Sequence, residues 1–355
     1  MVQGSEQPTN GTNGANGHTT AASKLRREPL KNSGSIDHLE YVDCTPIIGR
    51  EYPTAKLKDI FTASNSEQQL RDLAITICER GVVFFKARQD DLTVEEQNEV
   101  TYVINSEAAK KLYKTMKDRP AEAAEPRDLG REWHSDSTFE NCPSDFSFLR
   151  MQDTPPLGGD ILWVSGYELC VTACSLFRSQ NVPTDESSYD RMSPSWRSYM
   201  ETLTANRAQP VFKSACEAGG YEVMSPRGSP LNKDYEFAPH HPVVRTLSVT
   251  GWKSIYAGAG LHVSRIDNVY SYEDQMIRDY VMRLITRNHD GIARMHWKNQ
   301  ACAIWSNECT LHAATPDTHL VNGNRTGVRA SGTGGVPYLD PASTGRREAL
   351  SLPLT

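Results

Sequence analysis

The chain has 355 residues, and 38 Lys+Arg against 44 Asp+Glu give it a formal net charge of −6 and a pI near 6.0. That balance argues against a nucleic-acid surface, because phosphate binding needs a basic stripe. No run approaches the ~18 consecutive apolar residues of a membrane span, and no secretory or transit peptide pattern is present at the N-terminus.

Residues 1–35, rich in Asn, Gly, Thr and Ser around Asn10-Gly11-Thr12-Asn13-Gly14, hold no run able to form a core and read as a flexible tail. Residues 36–355 contain no Pro/Gly-rich linker and read as one catalytic domain. Over 66–80 the spacing predicts a helix, with Leu70, Leu73, Ala74 and Ile77 on one face, Ser66 as its cap and Gly81 as its stop. A strand at 82–85 follows, then a helical region at 94–116 and a polar loop at 120–131. Further strands are expected at 145–151, 160–164, 243–246, 254–256, 294–297, 301–305 and 327–331. Between them, 273–286 carries Met276, Ile277, Tyr280, Val281, Leu284 and Ile285 on one helical stripe. Arg71, Arg80, Arg278, Arg283 and Arg287 are dispersed over predicted helices and read as solvated faces. Eight cysteines, none in a C-x-x-C pair, suit a reducing cytoplasm, and Cys170 and Cys174 read as core residues of a helix. The sum is a mainly β core with flanking helices and no internal repeat.

His134-Ser135-Asp136 is followed far downstream by His312, then by Arg325 and Arg329. Two imidazoles and one carboxylate make the facial triad that holds Fe(II) and leaves the opposite face open. In a strand, residues i and i+2 share a face, so His134 and Asp136 project together while Ser135 points away. Ala301-Cys302-Ala303-Ile304-Trp305 reads as a buried strand leading through Ser306-Asn307, which delivers His312 just past a strand end. In Arg325-Thr326-Gly327-Val328-Arg329 the same alternation puts both arginines and Gly327 on one face, the glycine leaving room for a ligand. A carboxylate there would be gripped by fork-like bidentate bonds. Taken singly these are a surface turn, a satisfied core histidine and solvated charges. Taken in order they point to an Fe(II)- and 2-oxoglutarate-dependent oxygenase.

From about Leu92 to Ser351 the chain resembles the taurine/alpha-ketoglutarate dioxygenase (TauD/TfdA-like) family, its fungal branch in particular. The resemblance rests on Trp133-His134-Ser135-Asp136-Ser137-Thr138-Phe139, on Thr154-Pro155-Pro156-Leu157-Gly158-Gly159-Asp160-Ile161-Leu162-Trp163, on His241-Pro242-Val243-Val244-Arg245-Thr246, and on 304–329. It implies a double-stranded β-helix, the cupin-like jelly roll. It also implies that His134, Asp136 and His312 ligate the catalytic Fe(II), and that Arg325 grips the distal carboxylate of 2-oxoglutarate. Arg329 would hold an anionic group of substrate or cosubstrate. Ser137 would touch substrate through its backbone N–H, and Tyr338 would either line the same pocket or pack in the core. Turnover would consume O2 and release succinate and CO2.

The departures narrow the expectation. Ile161 stands where well-known members carry a Thr, Glu308 where the family often has Arg, and Trp252 where many relatives have Arg. The segment before His134 lacks a clear match to the histidine that grips a sulfonate in taurine-type members. The expected substrate is therefore a small anionic carboxylate, an amino acid among them, oxidised by hydroxylation, desaturation or ring closure in secondary metabolism. The alternatives are a sulfonate or sulfate-ester dioxygenase of the same family, a metal-dependent hydrolase on Zn²⁺, or a binding protein that kept the fold. The hydrolase reading gives no reason for Arg325-x-x-x-Arg329. No nucleic acid or membrane partner is expected, and homo-oligomerisation stays open.

Overall fold

The computed structural model describes residues 29–108, 133–167, 192–210, 212, 217–218, 220, 225–233, 237–256, 258–317 and 323–352. In chain order its elements begin with β1 (Val42–Asp43), β2 (Arg50–Tyr52), α1 (Leu57–Thr62), α2 (Ser66–Arg80), β3 (Val82–Phe85), α3 (Val94–Ala108), β4 (Ser144–Asp153) and β5 (Ile161–Ser165). Next come α4 (Pro194–Met200), β6 (Thr204–Arg207), β7 (His240–Pro242), β8 (Val244–Thr246), β9 (Lys253–Ile255), β10 (Val263–Ile266) and α5 (Ser271–Arg287). The last are β11 (Ile292–Met295), β12 (Cys302–Ser306), β13 (Thr310–Ala314), β14 (Thr326–Thr333) and α6 (Arg346–Ala349).

A six-stranded sheet runs β1-β2-β3-β12-β4-β14, and a three-stranded sheet runs β11-β5-β13. β3 shows why they form layers. Its Val83 and Phe85 join Leu70, Leu73 and Ile77 of α2, whereas Val82 and Phe84 join Trp163 of β5 and Met295 of β11. β12 divides the same way, Cys302 and Ile304 toward the helices and Ala303 and Trp305 toward the smaller sheet. A period of two sends alternate side chains to opposite faces. With both faces covered, both strands are apolar throughout instead of alternating with polar residues. Trp163 and Trp305 meet edge to face between the sheets, their ring centroids 5.6 Å apart. A tryptophan that buries ~150–250 Å² contributes roughly 4–6 kcal/mol at ~25 cal/mol per Å². On the far side of the smaller sheet, Ile277, Val281, Leu284 and Ile285 of α5 pack with Val164, Leu311 and Ala313.

The predicted strands recur with their edges moved by one or two residues. β1, β2, β6, β7, β10 and β13 were not expected; the first five span two to four residues, too few to show a period. In α2 the cap position is Asn65, not Ser66, and Gly81 ends the helix at φ 74°. Met276 is 43% exposed, so the apolar stripe of α5 is narrower than its sequence suggests. Arg80 is not solvated: it is buried and donates to the carbonyls of Thr45, Pro46 and Gly49. Residues 1–28, the 120–131 loop, and Cys170 and Cys174 lie outside the described residues. Residues 29–35 are tied down: Leu30 N–H donates to Val249 O, and Ser33 and Ser35 each donate a backbone N–H and a hydroxyl to buried Asp72. None of the described helices is long and apolar enough to cross a membrane.

Candidate active site

His312 does not follow a strand end; it sits in the middle of β13, opposite Trp163 of β5. The turn after β12 is tight enough for a new strand to start at Thr310. His134 forms an isolated bridge to His312, its N–H donating to His312 O at 3.0 Å and its carbonyl accepting from His312 N at 2.8 Å. The two imidazoles are thus brought together by direct backbone pairing. Asp136 lies in a turn, not a strand, and Ser137 after it takes φ 55°. Ser135 points away as expected, its hydroxyl donating to Thr310 O.

His312 Nε2 stands 3.6 Å and His134 Nε2 3.8 Å from Asp136 Oδ1. One ligand atom from each of the three lies within 4.8 Å of the others. The two nitrogen-to-oxygen separations exceed hydrogen-bond length, so the donors face one another across a gap. Burial pushes the His312 pKa down to about 3, which keeps the imidazole neutral near pH 7 with a lone pair free for a cation. Two imidazole nitrogens and one carboxylate oxygen form a donor set that fits a divalent iron.

The second oxygen of the same carboxylate faces the protein. Ser147 Oγ of β4 donates to Asp136 Oδ2 at 2.6 Å, and Arg329 Nη2 of β14 pairs with that oxygen too. Arg329 also lies over the Trp305 ring, 5.4 Å from its centroid. Its side chain is 43% accessible, yet desolvation pushes its pKa down to about 10. Along β14 Arg329 and Ser331 are open while Ala330 and Gly332 are buried, so the open face is the one that reaches Asp136 and Ser147.

Arg325 precedes β14 and donates through Nε to Gly159 O at 3.1 Å. Burial lowers its pKa, opposed by the charge of Asp160. The Gly158-Gly159 turn, at φ 76° and 69°, thus sets the loop that Arg325 holds. Gly327 has a different purpose from the one expected. A Cβ there would stand 2.9 Å from Arg150 O and 3.0 Å from Met151 Sδ, so the glycine lets β14 approach β4 instead of making room for a ligand. Ser137 shares a hydrogen bond with Ser144, Oγ to Oγ at 3.2 Å. Half-buried Tyr338 is tied to β8, its carbonyl accepting from Thr246 N at 2.8 Å.

The departures at Glu308 and Trp252 have local explanations. Glu308 forms a buried ion pair with Arg245, whose guanidinium lies over the Tyr256 ring at 4.8 Å. Trp252 packs edge-on to Tyr167 at 5.4 Å. Sequence reasoning missed a second polar chain behind His134. Buried Arg207 donates from Nη1 to Thr138 Oγ1 at 3.1 Å, and Thr138 Oγ1 is 2.9 Å from His262 Nδ1. A guanidinium only donates, so Thr138 Oγ1 accepts from Arg207 and links it to the His262 imidazole. Burial holds His262 well below its ordinary pKa, and its ring stands edge-on to His134 at 5.6 Å. The signal available in sequence was Thr138 itself, two residues from Asp136.

The family model "Taurine catabolism dioxygenase TauD, TfdA family" matches residues 40–171 and 186–330. The alpha-ketoglutarate-dependent dioxygenase oryG of Aspergillus oryzae is 39% identical over 352 residues, covering 91% of this chain and 96% of that protein. The alpha-ketoglutarate-dependent dioxygenase btcD of Neocamarosporium betae is 39% identical over 364 residues, covering 92% and 99%. Among solved structures, a taurine dioxygenase from Burkholderia xenovorans superposes with a TM-score of 0.62 at 20% identity, covering 87% of this chain and 94% of that one. With the His134, Asp136 and His312 donors converging as they do, the chain belongs to the TauD/TfdA dioxygenase family, oxidoreductases that use Fe(II), 2-oxoglutarate and O2.

Proposed function

We propose that His134, Asp136 and His312 hold Fe(II), that Arg325 takes the far carboxylate of 2-oxoglutarate, and that Arg329 takes an anionic group of the substrate. The substrate is a small carboxylate, an amino acid among the candidates, oxidised by hydroxylation, desaturation or ring closure in secondary metabolism. The observation that carries this reading is the convergence of both Nε2 atoms on one oxygen of Asp136, with the partly exposed Arg329 beside it. We further read 36–355 as a single domain with the double-stranded β-helix of the jelly roll, acting in the cytoplasm. The two sheets that pack face to face through Phe84, Trp163 and Trp305 support that fold.

When bound, iron, 2-oxoglutarate and O2 supply the oxidising power, with succinate and CO2 leaving as the substrate C–H is oxidised. The chain's own residues bind and aim. Neutral His312 keeps its lone pair toward the metal, and the Trp305 ring beneath Arg329 keeps water from one side of the guanidinium. Arg329 then meets an anion through charge-assisted hydrogen bonds, which fix the substrate's pose. Ser137 and Tyr338 are the further residues we assign to the substrate side.

The test is an anaerobic visible-absorption titration of the metal-free protein with Fe(II) and 2-oxoglutarate, repeated with L-amino acids, other small carboxylates and sulfonates. A metal-to-ligand charge-transfer band is expected, and it should sharpen or shift with a carboxylate. Absence of a band and of bound iron would overturn the oxygenase reading, and a shift with sulfonates alone would overturn the substrate reading.

A further inference from the structure

The two oxygens of Asp136 have different neighbours, and Oδ2, which also pairs with Arg329, stands at the end of a directed hydrogen-bond chain. Ser147 Oγ donates to Oδ2 at 2.6 Å, and Asn307 Nδ2 donates to Ser147 Oγ at 2.9 Å. Asn307 Oδ1 accepts from Trp305 Nε1 at 3.0 Å and from Asp136 N at 3.2 Å. Each direction is forced. An indole N–H and a backbone N–H can only donate, so the Asn307 oxygen must face them and its NH2 must face Ser147. Ser147 Oγ therefore accepts from Asn307, and its own proton goes to the carboxylate. Ser147 and Asn307 are 0% and 1% exposed, so neither hydrogen bond competes with water.

Asn307 also ties the two ligand-bearing segments together. It precedes β13, which carries His312, and its side chain fixes the backbone of Asp136, while its N–H donates to Asp145 O of β4 at 2.8 Å. We propose that Ser147 and Asn307 are positioning residues for the iron carboxylate. They hold Asp136 with Oδ1 turned to the metal and Oδ2 turned to the protein, so that it binds through one oxygen and leaves the other coordination positions open. This rests on the assignment of Asp136 as an iron ligand.

The experiment compares wild type, Ser147→Ala, Ser147→Thr and Asn307→Asp by anaerobic Fe(II) titration, by the charge-transfer band with 2-oxoglutarate, and by thermal unfolding of the metal-free protein. Outer partners of a metal ligand typically alter affinity by about 10–100-fold. Ser147→Ala should weaken Fe(II) binding within that range and shift the band, at a melting temperature close to wild type. Ser147→Thr, which keeps the hydroxyl, should restore both within about threefold. Asn307→Asp keeps the acceptor but loses the NH2 that orients Ser147, and should fall between the two. Wild-type affinity and band in Ser147→Ala would overturn the proposal, as would equal losses in the alanine and threonine variants. Failure of the wild type itself to bind Fe(II) would instead overturn the assignment of the site.

Discussion

Between the two sheets, Phe84, Trp163 and Met295 fill one stretch with apolar side chains, whereas His134, Asp136, His312 and Arg329 line the next with nitrogen and charge. Trp305 belongs to both. Its ring packs on Trp163 at 5.6 Å and on His312 at 5.1 Å, and its Nε1 bonds Asn307. The dry stretch supplies stability; the polar stretch spends part of it, since burying charge and imidazole is costly unless each group is partnered. A close-packed frame holds the donors at separations they would not adopt in open solvent.

Variants at each end should separate these two contributions. The largest effect belongs to the polar end: His312→Ala should abolish Fe(II) binding in an anaerobic titration while the urea midpoint changes little, and retained stoichiometric iron would remove His312 from the site. At the dry end, Trp163→Ala should cost about 3–5 kcal/mol, read from chemical denaturation, with Fe(II) affinity of the folded fraction preserved. A loss of affinity without a loss of stability would show that the two ends are not separable. Arg329→Gln, on the wall between them, should raise the substrate KM by roughly 10–100-fold, as expected for a lost charge-assisted bond of about 1.5–3 kcal/mol, and change the Fe(II) Kd less. Equal losses would mean that Arg329 acts only on Asp136.

Protonation sharpens the comparison further. Burial, reinforced by the nearby Arg207, pushes the His241 pKa down to about 3, and burial does the same to His312. The folded pKa lies below the unfolded value, so the unfolded chain takes up the protons between about pH 6.5 and 3. Stability of the metal-free protein should be full above that window and fall as pH drops through it, by up to about 1.4 kcal/mol per pH unit for each histidine. His241→Gln should reduce the slope by about one proton, and an unchanged slope would mean that His241 is already charged in the fold. The smallest effect is at the surface: Arg278→Ala, breaking the 2.7 Å pair with Asp274 on α5, should cost about 0.5 kcal/mol or less.

Much of the dry end was legible in the chain. Val82-Val83-Phe84-Phe85 and Cys302-Ala303-Ile304-Trp305 are continuous apolar runs, and such runs announce strands buried on both faces. The polar end was legible only in part. His134, Asp136 and His312 stood out by residue type, whereas Ser147, a hydroxyl between Phe146 and Phe148 in a buried strand, went unread. Arg80 was misread because a helix-borne arginine looks solvated until a loop, here 45–49, folds its carbonyls over it. Gly327 was misread because the space it leaves is claimed by the neighbouring strand, and strand pairing is not a local property.

The amino-acid sequence by itself determined which chemistry is available: two imidazoles, a carboxylate and two arginines in the order that iron and an anion require, with apolar periods fixing which runs become strands. Those properties are local, set by side-chain type and by the two-residue repeat of an extended backbone. Only the tertiary structure decided that His134 and His312 meet through a backbone bridge, that Ser147 and Asn307 reach Asp136 from β4 and the β12–β13 turn, and that Arg329 pairs with the same carboxylate. These are contacts between residues far apart in the chain, which exist only once the sheets have paired in register.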